Sequence, residues 1–191
     1  MQTSEKTVAL RLPKAPGIRA GALLAVALAA FFVVWFALKG GGKHGAASPQ
    51  ASNAVAASEP DLKKLAGSLD HPIYWAGPAA GATYELTRLA DGRIYIRYLA
   101  SSDEIGDPRP NYLVVGTYPR PHAFRELKRA ARQKGAVRRR LAHGGLLYFS
   151  STRPTNVYFG YPDAHYQVEV YDPSGRTARQ LVLTGRIRPI K

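Results

Sequence analysis

The densest run of chemically active side chains in this sequence is basic. Nine lysines and arginines lie between Arg120 and Arg140, against a single acid, Glu126. So many guanidinium and ammonium groups favour binding of an anionic polymer or surface. A solvated helix face, with arginine stems lying over apolar surface, accounts for the pattern equally well. The candidates for anion binding are Arg120, Arg125, Lys128, Arg129, Arg132, Arg138, Arg139 and Arg140.

Motifs for metal, nucleophilic or phosphate chemistry are weak. The five histidines occur singly, without a second histidine or a carboxylate at ligand spacing, and the chain has no cysteine. Asp163 and His165 lie close together, but ordinary turn chemistry explains that pair. The sequence contains neither a G-x-S-x-G nucleophile motif nor a phosphate-binding glycine loop. It therefore predicts no catalytic residue, no metal ligand and no cofactor.

An enzyme stays open as an alternative, with a site assembled from residues far apart in the chain. Most acids fall at predicted turns, but Glu85 and Glu169 fall on predicted strands. A lone glutamate on a strand usually faces solvent or pairs with an arginine. A cleft that brings two of the candidates within hydrogen-bond reach would favour the enzyme. These candidates are His71, Tyr74, Glu85, His143 and His165.

The stretch HPIYWAGP, which begins at His71, supplies the candidates for a binding pocket. They are His71, Tyr74 and Trp75, which combine a titratable ring with two large aromatic side chains that carry a polar group. The same residues would also serve as a buried anchor at the entrance to the domain. Residues 72–76 of this stretch are also the first predicted strand.

This stretch also carries a resemblance to other proteins. Together with YELT at residues 84–87 and YQVEVY at residues 166–171, it resembles a group of uncharacterised single-pass proteins of the bacterial cell envelope. The resemblance spans residues 69–183. It implies a location in the envelope and no particular activity.

A nineteen-residue run without charged side chains, Ala20 to Leu38, is the main feature of the N-terminal part. As a helix it would be about 28 Å long, close to the thickness of the hydrocarbon core of a bilayer. The sequence predicts a cytoplasmic tail (1–19), a transmembrane helix (20–38) and a flexible linker (39–58). Four basic residues precede the run and two follow it, which favours an extracytoplasmic C-terminal domain. A cleaved signal peptide is the alternative and gives the domain the same location.

Topology decides which anionic partner the basic domain meets. The chain carries a formal charge of +14, and from Asp61 onward it has 21 basic against 11 acidic residues, a difference of +10. Outside the cytoplasm, this charge predicts an interaction module anchored in the plasma membrane. Its partner would be an envelope polymer, lipid headgroups or a protein. Nucleic acid becomes the expected partner only if the topology is inverted, and the sequence says nothing about oligomeric state.

Residues 59–191 predict one α+β domain, because strands cluster along the sequence instead of alternating with helices. Such clustering favours a mostly antiparallel sheet with two or three short helices. The helices are predicted at residues 59–68, 122–134 and 174–183. The acidic, Pro- and Gly-rich segment from Ser101 to Asn111 is predicted to be the main exposed loop.

The clearest hairpin is predicted around Asp91-Gly92, a pair that favours a tight turn between strands. If the turn contains two residues, Leu89 faces Ile94 and Arg88 lies opposite Tyr95. This register sets which side chains share a face of the sheet.

Overall fold

The computed structural model describes residues 54–191, and the elements below belong to that part of the chain. The helices are α1 (Glu59–Gly67), α2 (Ala123–Ala130) and α3 (Gly175–Leu183). The strands are β1 (Val55–Ala57), β2 (Tyr74–Trp75), β3 (Thr83–Arg88), β4 (Ile94–Leu99), β5 (Leu113–Pro119), β6 (Ala136–Arg140), β7 (Leu146–Ser150), β8 (Arg153–Gly160), β9 (Tyr166–Tyr171) and β10 (Arg188–Pro189).

Eight of these strands form one antiparallel sheet in the order β1-β3-β4-β5-β9-β8-β7-β6. The remaining two, β2 and β10, pair with each other as a short antiparallel ribbon. The predicted α+β class with an antiparallel sheet is thus confirmed for the described part of the chain. The central pair, β5 and β9, joins strands that are about fifty residues apart in sequence.

The helices divide between the two faces of the large sheet. One face, here called the core face, carries Val115 and Val168 and packs against Ala178 of α3. The ribbon and α1 also cover this core face. The opposite face, here called the α2 face, packs against Leu127 of α2 through the rings of Tyr148 and Tyr158. Both faces are therefore covered in part, which explains why apolar residues alternate poorly along β4 and β7.

Capping residues account for where two of the helices begin. The Ser58 hydroxyl accepts a hydrogen bond from the Asp61 amide at 3.3 Å, and the Asp61 carboxylate accepts one from the Ser58 amide at 2.9 Å. This reciprocal capping box starts α1 close to its predicted position. Ser174 caps α3 in the same way, accepting from the Thr177 amide at 3.3 Å.

Helix α2 is shorter than predicted and ends at Ala130 instead of Lys134. After it, hydrogen bonds between residues three apart continue as tight turns up to Gly135, whose φ is +81°. A residue in this left-handed conformation reverses the chain direction. The reversal lets β6 start at once on the sheet edge, so the last predicted turn of the helix cannot form.

The hairpin between β3 and β4 has a three-residue loop, so the predicted register is wrong. The Leu89 amide donates to the Arg93 carbonyl at 2.9 Å, which encloses Ala90, Asp91 and Gly92. Gly92 adopts a φ of +84°. A turn followed by a left-handed glycine is the usual geometry of three-residue hairpin loops.

The extra loop residue changes which side chains lie opposite each other. Arg88 pairs with Ile94 instead of facing Tyr95, and Glu85 pairs with Arg97. Because side chains alternate between faces, a shift of one residue changes which side chains of β3 and β4 lie beside each other on the same face. Glu85 and Arg97 thereby become cross-strand neighbours on the α2 face.

The N-terminal boundary of the domain lies before the predicted one. Residues 55–57, which fall at the end of the predicted linker, form strand β1 and pair with β3. The predicted tail (1–19), the apolar run from Ala20 to Leu38 and most of the linker lie outside the described residues. Within residues 54–191, every helix is too short or too polar to cross a membrane.

Candidate functional site

Helix α2 places four of the predicted anion-binding residues in solvent. Its apolar residues Phe124, Leu127 and Ala131 face the sheet, at the spacing expected for one side of a helix. The cations on the other side are consequently exposed. They are Arg125, Lys128, Arg129 and Arg132.

Strand β6, at the sheet edge, carries the other group of arginines. Arg138 lies opposite Tyr148, which packs beneath α2, so Arg138 and Arg140 project on the α2 face. Arg139 projects on the core face because neighbouring strand residues alternate. The three consecutive arginines are thus divided between the two faces, and all three side chains are exposed.

Most of these cations lack a partner of opposite charge. Arg120 lies 3.8 Å from the carboxylate of Glu126. In the part of the chain that the structure describes, none of the other seven candidates lies within 4.0 Å of a carboxylate. The name α2–β6 basic surface is used below for those on the α2 face: Arg125, Lys128, Arg129, Arg132, Arg138 and Arg140.

A cavity of about 290 Å³ lies on the same α2 face, over strands β3, β4, β5 and β9. Residues 106–112, from the predicted exposed loop, form its roof. That loop does present Arg109 and Pro110 to solvent, but its inner side covers the sheet. The side chains on the cavity floor include Glu85, Thr87, Tyr95, Arg97, Tyr118 and Glu169.

A buried ion pair fastens the roof to the sheet. Arg97 Nη1 donates to Glu85 Oε1 at 2.7 Å, and the Glu85 side chain is 2 % exposed. The other carboxylate oxygen accepts from the Gly106 amide at 2.6 Å. Arg97 Nη2 donates to the Asp107 carbonyl at 2.7 Å. Both groups thus bind the sheet and the loop at the same time.

Two tyrosines add further contacts, Tyr112 within the roof and Tyr171 from the sheet. Tyr112 Oη donates to Asp107 Oδ2 at 2.6 Å, and this bond raises the pKa of Tyr112 to about 12. The Arg97 guanidinium carbon lies 4.7 Å from the centre of the Tyr112 ring. From β9, Tyr171 Oη donates to the Pro110 carbonyl at 2.7 Å. The roof is therefore held by side chains from three different strands or loops.

Glu169 is a buried acid on the cavity floor whose hydrogen-bond donors are all uncharged. It accepts hydrogen bonds from Asn156 Nδ2 at 2.6 Å, from Tyr158 Oη at 3.0 Å and from Tyr118 Oη. Among residues 54–191, no lysine, arginine or histidine lies within 4.0 Å of its carboxylate. Burial raises the pKa of Glu169, although the three hydrogen bonds act in the opposite direction.

Gly116 gives Tyr118 the room to reach Glu169. Gly116 lies opposite Glu169 in the β5–β9 pair. A Cβ atom at this position would come within 2.9 Å of the Tyr118 ring, which leans back over the glycine. The ring of Tyr95, on the neighbouring strand β4, meets Tyr118 edge-on with a centroid distance of 5.6 Å. The absent side chain thus permits an aromatic wall beside the carboxylate.

Replacing Glu169 with glutamine is expected to flatten the pH dependence of the free energy of unfolding. Because folding raises the pKa of Glu169, the folded state binds this proton more tightly than the unfolded chain does. The wild-type protein should lose this stabilisation as the pH rises from the ordinary glutamate pKa through the raised value. Glutamine stays neutral, so that loss should disappear. Urea unfolding at a series of pH values measures the effect.

Asp163→Asn is the matched control for this experiment. Asp163 is exposed in the β8–β9 turn with a φ of +60°, a conformation that asparagine tolerates. This variant loses one carboxylate but should keep the wild-type pH profile. An unchanged profile in Glu169→Gln would show that Glu169 does not titrate differently on folding.

The predicted pocket residues lie away from the cavity. Tyr74 and Trp75 belong to β2 and are 5 % and 4 % exposed, packed in the core. Tyr74 Oη lies 3.2 Å from Tyr166 Oη, and burial raises the pKa of Tyr74. His71 Nδ1 lies 3.2 Å from the Pro72 carbonyl. Tyr74 and Trp75 are thus core residues, and His71 beside them is partly buried.

The residues considered for a dispersed catalytic site do not come together. Glu85 alone among those five lines the cavity. His143 and His165 are exposed in separate turns. In residues 54–191, no group of three or more histidine, aspartate or glutamate side chains is placed to hold a metal ion.

Glu85 and Glu169 lie at separate positions on the cavity floor. Three strand spacings of about 4.8 Å separate β3 from β9, and the two residues are offset by about 7 Å along the strands. The two carboxylates share no hydrogen-bond partner among the described residues. The carboxylate of Glu85 is moreover occupied by Arg97 and Gly106.

Sequence reasoning noticed Glu169 but missed its surroundings. Its place on a strand, between two valines, was visible from the sequence. Its hydrogen-bond partners Tyr118, Asn156 and Tyr158 come from other strands, and nothing in the local sequence connects them. An acid between buried valines on a strand is the signal that could have indicated a buried carboxylate.

Comparisons with known proteins do not assign a function. The chain matches no protein-family model, no curated protein and no solved structure. The proposals that follow therefore rest on the geometry and charge of the α2–β6 basic surface and of the cavity.

Proposed function

We propose that this protein is a membrane-anchored, extracytoplasmic interaction module whose α2–β6 basic surface binds an anionic component of the cell envelope. The observation that supports this most is the exposure of six cations on one side of the domain, none within 4.0 Å of a carboxylate among residues 54–191. Neighbouring like charges without counter-charges repel one another, and a polyanion removes that repulsion.

Protection of a sheet edge explains only part of this surface. Strand β6 is an edge strand, and charged side chains on such a strand discourage pairing with another chain. That role accounts for Arg138, Arg139 and Arg140. It does not account for the cations of α2, which lie on the helix face that points away from the sheet. The combination of both elements is what favours a binding surface.

A phosphodiester polymer of the envelope is the partner we favour, because it offers regularly spaced charges to several arginines at once. Anionic lipid headgroups offer the same phosphate chemistry in a plane, and a protein partner would offer carboxylates. Binding to inorganic polyphosphate, to vesicles with and without phosphatidylglycerol, and to duplex DNA distinguishes these sources. The favoured partner predicts the tightest binding to the flexible polymer.

Neutralising three of these cations is expected to weaken polyphosphate binding about tenfold. The variant Arg129→Gln/Arg138→Gln/Arg140→Gln keeps a polar side chain at each position but removes three positive charges from the α2–β6 basic surface. The affinity should also depend less on salt. Each of these cations that contacts a phosphate should, when removed, reduce the magnitude of the slope of log affinity against log salt concentration by about one. Titrations between about 50 and about 200 mM salt measure both effects.

The matched control removes the same charge from elsewhere. Arg176, Arg186 and Lys191 are exposed and belong to α3 or to the C-terminal segment that follows it. The variant Arg176→Gln/Arg186→Gln/Lys191→Gln should bind almost as the wild type does. Equal losses of affinity in the two variants would mean that net charge, and not this surface, drives association. Binding that is insensitive to salt would also contradict the proposal.

The location of the domain is a second part of the proposal. The apolar run from Ala20 to Leu38 would act as a single-pass anchor in the plasma membrane, with the N-terminus in the cytoplasm. A reporter that works only outside the cytoplasm should therefore show activity when it is fused after Lys191. A fusion active only in the cytoplasm would reverse the topology and make nucleic acid the expected partner. Release of the domain into the medium would indicate a cleaved signal peptide.

A further inference from the structure

We propose that the cavity on the α2 face binds a small organic cation, with the carboxylate of Glu169 as its counter-charge and tyrosine rings as its walls. This inference is independent of the α2–β6 basic surface. It concerns a different group of side chains and a ligand of opposite charge.

The charges that line the cavity do not balance. Three carboxylates line it, those of Glu85, Asp107 and Glu169, against the guanidinium groups of Arg97 and Arg109. Arg97 is paired with Glu85 at 2.7 Å, and Arg109 Nε donates to Asp107 at 2.7 Å. Both arginines are thus already occupied by a carboxylate. Glu169 is left as the one acid of the lining without a cation.

The composition of the chain makes this arrangement notable. From Asp61 onward, basic residues outnumber acidic ones by 21 to 11, so a basic partner for any acid is easily found. The neighbours of Glu169 are instead one amide and two tyrosine hydroxyl groups. Burying an ionised carboxylate without a counter-charge is costly. A bound cation would remove that cost.

The walls of the cavity suit a cation as well as its floor does. Tyr95, Tyr112, Tyr118 and Tyr171 all line it. The faces of aromatic rings carry partial negative charge and attract cations within about 6 Å. The Arg97 guanidinium already makes such a contact with the Tyr112 ring at 4.7 Å. The same kind of contact is available to a ligand beside the remaining rings.

The geometry at Glu169 leaves one acceptor direction for a ligand. Among the described residues, its Oε1 accepts from Asn156 and Tyr158, whereas its Oε2 accepts from Tyr118 alone. A carboxylate oxygen can accept two hydrogen bonds. An alkylammonium N–H could donate to Oε2, and a quaternary ammonium would interact through charge and ring contacts. The volume of about 290 Å³ is at the lower end for ligand sites, which favours a compact molecule.

The test compares cations with a neutral molecule of the same shape. Full-length protein in a nonionic detergent is titrated calorimetrically with choline, with butylammonium, and with 3,3-dimethylbutan-1-ol, the uncharged isostere of choline. At least one cation should bind about tenfold or more tightly than the isostere. Glu169→Gln should remove this preference, while Asp163→Asn and Arg129→Gln/Arg138→Gln/Arg140→Gln should keep it.

The affinity for choline should also rise with pH, because choline itself does not titrate and Glu169 must be ionised to bind it. The groups around this carboxylate should keep their charge state over the range tested. Burial raises the pKa of the surrounding tyrosines, which are Tyr95, Tyr118, Tyr148 and Tyr158. The Arg93 guanidinium, whose Nη1 lies 3.5 Å from Tyr95 Oη, stays positively charged.

A second variant keeps the test decisive if Glu169→Gln does not fold. Val114 lines the cavity but takes no part in the hydrogen bonds of Glu169. Val114→Phe should therefore narrow the cavity and weaken binding of the cation at least tenfold. Equal binding of cations and isostere to the wild-type protein, or no binding of either cation, would overturn the proposal. So would tight binding that neither variant weakens.

Discussion

Replacing Arg97 with methionine is expected to lower the free energy of unfolding by about 3 kcal/mol. The Arg97 side chain is 16 % exposed and that of Glu85 is 2 % exposed, so the pair is screened little by water. Methionine keeps the apolar stem but removes the guanidinium. The Glu85 carboxylate would then be buried with only the Gly106 amide as a partner. An unpaired buried charge costs far more than an exposed ion pair contributes.

Urea unfolding measures this loss, and two further variants identify its cause. Arg88→Met removes an exposed arginine from the same hairpin. Among residues 54–191, no carboxylate lies within 4.0 Å of the Arg88 guanidinium. It should change stability by no more than about 0.5 kcal/mol. Adding Glu85→Gln to Arg97→Met should recover part of the loss, because the uncompensated charge is gone. A loss of the same size in Arg88→Met would contradict this explanation.

The same substitution should loosen the roof of the cavity. Arg97 Nη2 holds the Asp107 carbonyl, and the Glu85 carboxylate holds the Gly106 amide. Without the guanidinium, the loop keeps the Tyr171 bond to the Pro110 carbonyl and the Gly106 bond to a Glu85 carboxylate that has lost its counter-charge. Faster hydrogen exchange of the Gly106 amide in Arg97→Met would report the opening. Exchange in β8, which is separated from β4 by two strands of the sheet, should change less.

Replacing Gly175 with alanine is expected to destabilise the domain by about 2 kcal/mol or more. Gly175 is the first residue of α3, and a Cβ atom there would lie 2.3 Å from the Pro154 carbonyl oxygen. The neighbouring Pro154 carbonyl carbon would be at 2.6 Å. Both atoms belong to the backbone, so no side-chain rotation relieves the conflict. Helix α3 would have to move away from β8 and so weaken the packing of Ala178.

Gly67→Ala is the control for that prediction. Gly67 is the last residue of α1, and a Cβ atom at this position would meet no other atom within 4 Å. Alanine is the better helix former, so this variant should be neutral or more stable by up to about 1 kcal/mol. Chemical unfolding of both variants compares one glycine that is required for close packing with one that is not. Equal destabilisation by the two substitutions would disprove the packing argument.

The two proposed binding regions use the same side of the sheet for opposite charges. Helix α2 packs over β7, β8 and β9 and points its cations away from the sheet, whereas Glu169 is buried on the sheet surface. The two proposals together predict that a cationic ligand and an anionic partner bind the same domain.

Local patterns in the sequence were sufficient for much of the secondary structure. The capping residues Ser58 and Ser174 lie immediately before the helices that they begin. Strands β7 and β9 are likewise marked by alternating apolar residues and flanking turn residues, which are properties of short segments. The basic cluster was equally apparent, since charge requires no knowledge of the fold. What the sequence determined was thus much of what depends on neighbours along the chain, although the length of the β3–β4 loop and the end of α2 differ from the prediction.

The tertiary structure decided the rest, because the cavity depends on residues that are distant in sequence. One additional residue in the β3–β4 loop decided that Glu85 faces Arg97. Pairing of β5 with β9 brought Glu169 beside Gly116, which leaves space for Tyr118. Alternation along β9 showed only that Glu169 and Tyr171 share a face. Whether that face lies in water or beneath a roof is decided by loop 106–112, more than fifty residues earlier in the chain.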